Sequence, residues 1–336
     1  MKIVVLTTSY PSPEHPVAGT FVASSVEAVR AAGVEVDVVS PSDVHHFGIA
    51  YGGGIAQNLR AAPWKLALVP GFLASFAYAA RRAAADADLV HAHWIPSALA
   101  ARATGKPYVL QVWGTDVELA RRSPTVARPL LGGAQLVIGA SRFLADAARE
   151  LGARRVAVVP PPVPAVAEVG EPDDPPHVLF AGRLSEEKGI LEFLAATAGL
   201  PRVIAGDGPL RHRVPEAVGF VPPAELAAYY RRAAVVCVPS RREGYGMVAR
   251  EALAHGRATV ATRVGGLADL DGSGIALVPA GDVDALRAVV ELLLASPDER
   301  DRRGRAAWEF ARDRFGPSQV AAALVAAYEE AAKLSA

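Results

Sequence analysis

Short, nearly continuous apolar runs alternate with helix-length segments along the whole chain. Such runs are rich in Val, Ile and Leu and lack the in–out alternation of a half-exposed strand. They read as strands buried on both faces, which means parallel sheets covered by helices. In the first half the runs fall at residues 2–8, 34–39, 89–93, 108–113, 135–138 and 156–159. A helical pattern over 20–32 ends at Gly33, placed as a C-cap. The second half repeats the plan, with strands expected at 178–181, 202–205, 235–238, 259–261 and 275–278 and a helix over 189–198.

Between the halves lie Pro160, Pro161, Pro162 and Pro164, then Pro172, Pro175 and Pro176. Proline-rich spacers of this kind are stiff, exposed connections. With 336 residues, 51% of them apolar, the chain is long enough for two cores. The expected domains are 1–165 and 166–317, both α/β and doubly wound. Ligands in such sheets bind at the carboxyl ends of the strands, so a cleft between the domains is the expected active site.

Charge limits the function classes. Thirty-five basic and 35 acidic side chains cancel, which excludes a general nucleic-acid binder. Residues 1–165 nevertheless carry 15 basic against 11 acidic side chains, and 166–336 carry 20 against 24. The single cysteine, Cys237, excludes a disulfide framework and fits a reducing compartment. The opening apolar run is too short for a signal peptide, and no apolar stretch approaches the roughly 20 residues of a membrane span.

Three segments carry chemistry. In residues 240–266, Glu243 and Glu251 stand eight positions apart across Gly244-Tyr245-Gly246, which opens a helix that Gly256 ends. Free N–H groups and the positive dipole end at such a helix start suit a phosphate, and carboxylates accept hydrogen bonds from sugar hydroxyls. In residues 182–189, Arg183 and Lys188 follow a strand and precede a helix, placed to hold a diphosphate with a guanidinium fork and a point charge. The third segment, Gly206-Asp207-Gly208, is a tight turn after the next strand. None of these is the dinucleotide fingerprint, which disfavours a nicotinamide dehydrogenase. Gly52-Gly53-Gly54 is expected to be a flexible loop, and His45-His46 has no partner pattern.

In this order the segments resemble the retaining glycosyltransferases of family 4, which have the GT-B architecture: two Rossmann-like domains facing across a cleft. The most specific match is the Glu-x7-Glu motif with Glu251-Ala252-Leu253-Ala254-His255-Gly256. Gly265-Gly266, Gly182-Arg183-Leu184, Glu187-Lys188-Gly189, Tyr10-Pro11 and Gly19-Thr20-Phe21 also match. The resemblance implies that Arg183 and Lys188 bind the nucleotide diphosphate and Glu251 the ribose. Glu243, with the backbone of Tyr245, Gly246 and Met247, would hold the transferred sugar and phosphate. Phe220 and Val221 would meet the base, and Gly19 would approach from the other domain. Thr20, Gly206 and Val248 complete the implied substrate-binding set.

One departure stands out. Where the family often carries a histidine in His-Gly-x-Asp, this chain has Trp113-Gly114-Thr115-Asp116. Asp116 matches, and His93, at the end of an adjacent strand, can take the missing histidine's place. Catalytic roles are therefore expected for Glu243, Asp116 and His93. No Asp-x-Asp pair follows a strand as a metal site would require: Asp86-x-Asp88 precedes one, and Asp282 reads as a helix N-cap. No metal and no cofactor are expected, and the leaving diphosphate would be stabilised by Arg183 and Lys188.

The implied activity is sugar transfer from a nucleotide-diphosphate sugar to a hydroxyl acceptor in the cytoplasm. The alternatives are an epimerase or phosphorylase of the same fold, and a non-catalytic nucleotide-sugar-binding protein. Residues 61–84, with Trp64, Lys65, Phe72, Phe76, Tyr78, Arg81 and Arg82, suit either a helix lying on an anionic membrane or a buried helix of the first domain. The resemblance further implies that a final helix, about 318–336, crosses back onto the first domain.

Overall fold

The computed structural model describes residues 1–51 and 54–334; Gly52 and Gly53 of the expected flexible loop lie outside them. The chain divides into two compact units. One comprises Met1–Pro162 together with Pro317–Ala336, the other Val163–Gly316.

The first unit is built on a six-stranded parallel sheet: β1 (Lys2–Leu6), β2 (Glu35–Val39), β3 (Leu89–His93), β4 (Tyr108–Val112), β5 (Leu136–Gly139) and β6 (Val156–Val158), in the order β2-β1-β3-β4-β5-β6. Its helices are α1 (Thr20–Ala31), α2 (Ile55–Ala61), α3 (Val69–Ala83), α4 (Ser97–Ala103), α5 (Thr115–Arg122), α6 (Pro124–Gly133) and α7 (Arg142–Glu150). Every residue of β3 and β4 is buried, as expected of strands covered on both faces.

The second unit carries a five-stranded parallel sheet: β7 (Val178–Ala181), β8 (Arg202–Ala205), β9 (Val235–Val238), β10 (Ala258–Thr262) and β11 (Ala276–Val278), in the order β11-β10-β9-β7-β8. Its helices are α8 (Ile190–Ala196), α9 (Pro223–Arg232), α10 (Met247–Ala254), α11 (Val283–Ala295) and α12 (Pro297–Phe315). Ile190, Phe193, Leu286, Val290 and Leu293 cover one face. Tyr230, Leu253, Ala307 and Phe315 belong to the core on the other. The side chain of Asp282 caps α11 by accepting from the Ala285 N–H at 2.9 Å, as read from the sequence.

The last helix, α13 (Pro317–Lys333), returns to the first unit. Val320, Leu324, Ala327 and Tyr328 pack there with Val22, Val26 and Val29 of α1 and with Ile3, Val5 and Val109 of the sheet. Two local expectations gain detail. The helix expected over 189–198 is α8, and the loop before it holds a 3-10 turn (Glu186–Lys188), with Gly189 in the left-handed region between them. Residues 61–84 divide into a 3-10 turn that opens at Pro63 (Pro63–Leu68) and α3, which starts at Val69 with Pro70 in its first turn, because proline opens a helix readily but does not continue one.

Candidate active site

In the second unit the loops after β7, β8, β9 and β10 lie together at the carboxyl edge of the sheet. They are joined backbone to backbone. Arg241 N–H donates to Glu187 O at 2.8 Å, Gly266 N–H to Glu243 O at 3.0 Å, and Leu184 N–H to Asp207 O at 2.9 Å. Gly189 (φ +70°) lies so close to the Pro239 carbonyl that a Cβ would overlap it. This approach is what draws the Lys188 loop onto the loop that carries Glu243.

Lys188 Nζ and Glu243 Oε2 meet at 2.7 Å, both partly buried. Ser240 Oγ donates to the same carboxylate oxygen at 3.4 Å. Gly246, left-handed at φ +85°, caps α10 without any side-chain hydrogen bond, so Met247 and Val248 open a helix whose first N–H groups have no intrahelical acceptor. One turn further on, Glu251 accepts from the buried Tyr230 hydroxyl at 2.7 Å. Burial raises the Glu251 carboxyl pKa above the ordinary value, and the Tyr230 hydroxyl holds that rise back. Arg183 is exposed on the β7 loop. Phe220 stands exposed and Val221 half-buried just beyond Gly219, which pairs with Gly206 at the end of β8.

Two residues absent from the sequence reading hold this edge. Tyr230, on α9, orients Glu251; it lies 21 positions away in sequence and follows no motif. Arg250 is almost wholly buried. Its guanidinium donates to Tyr245 O and, at 3.1 Å, to Gly266 O, and it lies 3.9 Å from the centre of the Tyr245 ring. It thereby ties the Glu243–Met247 turn to Gly265-Gly266. The signal was present, since apart from Arg250 and Glu251 the helix 247–254 is apolar, and an arginine in such a helix needs a buried partner.

The remaining expected residues gather in the first unit. Gly19 (φ +59°) caps α1, and a Cβ there would collide with the Ser9 carbonyl. The space beside it is filled by protein backbone, so the glycine serves the local turn. Thr20 begins α1, and Phe21 packs on Trp113 at 4.5 Å between ring centres. His93 is buried and stacked on Trp113 at 5.7 Å and 14°. Asp116 does not present a free carboxylate. Its oxygens accept the N–H groups of Ile95, Trp113, Gly114 and Val117 at 3.0–3.2 Å. It is a clasp joining the ends of β3 and β4. Burial raises its pKa, opposed by those four donors.

Behind Trp113 lies a buried polar pocket. His91 Nδ1 is 2.8 Å from the Tyr328 hydroxyl, while His91 Nε2, His93 Nδ1, Gln111 Oε1 and Trp113 Nε1 have no partner. Burial drives the His91 pKa down to about 3 and that of His93 well below its ordinary value. Both imidazoles are therefore neutral at neutral pH.

Two parallel Rossmann-like sheets, each flanked by helices, have the GT-B architecture. Comparison with known proteins agrees. The family description "Glycosyltransferase Family 4" matches residues 18–165 and "Glycosyl transferases group 1" matches 175–296. D-inositol 3-phosphate glycosyltransferase of Xylanimonas cellulosilytica is 32% identical over 327 residues, covering 79% of this chain and 78% of that protein. The chain belongs to the group 1, family 4 glycosyltransferases and is a transferase enzyme. Among solved structures, sucrose-phosphate synthase of Thermosynechococcus elongatus superposes with a TM-score of 0.78 at 21% identity over 98% of both chains. HepE of Anabaena, solved with UDP-glucose, gives 0.72 at 18% identity, over 98% of this chain and 99% of that one. At these identities the likeness speaks to the fold.

Proposed function

We propose that the protein is a retaining hexosyltransferase of the cytoplasm, moving a sugar from a nucleoside diphosphate to a hydroxyl of a glycan, glycolipid or small metabolite. The observation that carries the donor half is the pairing of Lys188 with Glu243 beside the uncapped start of α10, with Glu251 one turn along. Lys188 and Arg183 take the diphosphate, Glu251 the ribose, and Glu243 the transferred sugar. Gly206, Phe220 and Val221 border the base, which makes backbone contacts there sufficient. The complex of HepE with UDP-glucose makes a uridine nucleotide the first donor to try.

In the reaction the bond from the anomeric carbon to the diphosphate oxygen breaks. The acceptor oxygen attacks on the face the diphosphate leaves, and its proton passes to a phosphate oxygen. The developing negative charge rests on Lys188, Arg183 and the N-terminus of α10, so the protein contributes position and charge stabilisation. Asp116 and His93 act in this reading as positioning residues, the first through the β3–β4 clasp and the second through the ring it stacks on, Trp113.

A thermal-shift panel of nucleoside diphosphates and their sugars tests the donor reading. A ligand at a hundred times its Kd adds about 2.7 kcal/mol of stability. Proton NMR of the product's anomeric signal tests retention, and an inverted product overturns it. Epimer formation without acceptor would point to the epimerase alternative, and tight binding with no turnover on any acceptor would point to a binding protein.

A further inference from the structure

Helix α3 is apolar on both sides. Phe72, Phe76 and Ala80, spaced four apart, are buried in the first unit. Pro70, Ala74 and Tyr78, also four apart, are exposed on another face. Its first twelve residues carry no charge, and Arg81 and Arg82 close its last turn. A helix apolar all round needs cover on every side, and here one side faces solvent. The 3-10 turn before it extends the bare face: Trp64 is 67% exposed and Leu66 59%, against 65% for Tyr78. The exposed ring of Phe47 joins it over Gly71, where a Cβ would stand 3.4 Å from the ring.

The charge within this stretch of the sequence has one sign. Between Asp43 and Asp86 the sequence holds no acidic residue, while it holds Arg60, Lys65, Arg81 and Arg82. The flanking acids are occupied elsewhere. Asp43 accepts from the Ser40 N–H at 2.8 Å, and Asp86 pairs with Lys2 at 2.9 Å. No helix among the described residues is long and apolar enough to cross a membrane.

We infer that this face of the first unit docks on an anionic lipid surface. Trp64, Leu66, Pro70 and Tyr78 enter the boundary between headgroups and acyl chains, and the four cations meet lipid phosphates. Exposed aromatic and aliphatic side chains backed by unopposed Arg and Lys are what an interfacial helix requires. A protein partner or a second copy of the chain would also cover apolar surface. A second copy would bring the same cations against these, whereas lipid phosphates oppose them while the acyl boundary takes up the apolar side chains. The inference stands apart from the sugar-transfer reading, since neither donor nor acceptor enters it.

The test is co-sedimentation of the full chain with vesicles of one part phosphatidylglycerol to two parts phosphatidylcholine, beside vesicles of phosphatidylcholine alone. The protein is expected to pellet with the first and not with the second, and to be released by high salt. Arg81→Ala with Arg82→Ala should lower the partition coefficient roughly thirtyfold. Trp64→Ser with Tyr78→Ser, both at exposed positions, should lower it roughly tenfold or more while leaving the melting temperature and nucleotide binding unchanged. Equal pelleting with both vesicles, or wild-type binding by both variants, overturns the inference. So does a dimer in sedimentation velocity that the Trp64 and Tyr78 changes abolish, because a second copy then covers the face. Nucleotide titration of the same variants keeps a failure here distinct from a failure of the donor site.

Discussion

Lys188 Nζ and Glu243 Oε2 are 2.7 Å apart, so the cation assigned to the diphosphate and the carboxylate assigned to the sugar neutralise each other when no donor is bound. A donor must part them or insert beside them. One charge-assisted contact of Lys188 is exchanged for another of similar worth, about 1.5–3 kcal/mol each, so the added contacts proposed for the diphosphate, to Arg183 and the start of α10, tip the exchange toward the donor.

Lys188→Ala should therefore weaken donor binding roughly tenfold to a hundredfold. Glu243→Gln should leave binding of the bare nucleoside diphosphate equal to wild type or slightly tighter, because Lys188 is released, while turnover of the sugar nucleotide falls. Calorimetric titration with both ligands separates the effects. A Glu243→Gln protein that loses affinity for the bare nucleotide would show that the two carboxylates have been given each other's roles.

Tyr230→Phe removes the hydroxyl that orients Glu251. Nucleoside diphosphate and nucleotide sugar should lose affinity alike, by roughly threefold to tenfold, because the lost hydrogen bond orients Glu251 and does not itself touch the ligand. Glu251→Ala should act in the same direction and more strongly. Unequal losses for the two ligands would separate Glu251 from the ribose.

Arg250→Met should cost about 2–4 kcal/mol of stability, since the Tyr245 and Gly266 carbonyls lose their buried donor. Arg250→Lys should rescue it only partly, because one ammonium cannot span both carbonyls as the guanidinium fork does. Urea unfolding followed by circular dichroism measures both, and a wild-type midpoint for Arg250→Met would mean that the turns stand without it.

His91 and His93 are neutral in the fold, while a histidine in the unfolded chain titrates near 6.5. Below that pH the unfolded state binds more protons, so stability is complete above about 6.5 and falls as pH drops toward the folded-state values. The slope approaches about 1.4 kcal/mol per pH unit for each histidine. His91→Gln should flatten the fall between neutrality and mild acid. An unchanged pH profile of the denaturation midpoint would count against it.

Activity should survive a strong chelator, because Arg183 and Lys188 supply the charge that a divalent cation would otherwise bring to the diphosphate. Loss with EDTA that magnesium or manganese restores would refute this.

Strand-forming runs such as residues 235–238 were legible because a parallel strand buried on both faces has no polar positions to blur it. Glu243 and Glu251 were legible because their spacing across a glycine turn is a local pattern. Tyr230 was not, because its meeting with Glu251 is made by the packing of α9 on α10 and leaves no local trace. Asp116 and Gly19 were legible through their motifs, but the hydrogen bonds of one and the neighbouring carbonyl of the other are set by backbone geometry that residue types do not disclose.

The return of α13 to the first unit also bears on the order of biosynthesis. While a ribosome is still reading the middle of the message, residues 1–162 have already emerged without Val320, Leu324 and Tyr328, which complete their core. The contiguous second unit has all its parts before the first does. Early strands such as β1 and β4 must wait with one apolar side incomplete until residues 317–333 are translated, so of the two units the one begun earlier is the one completed later.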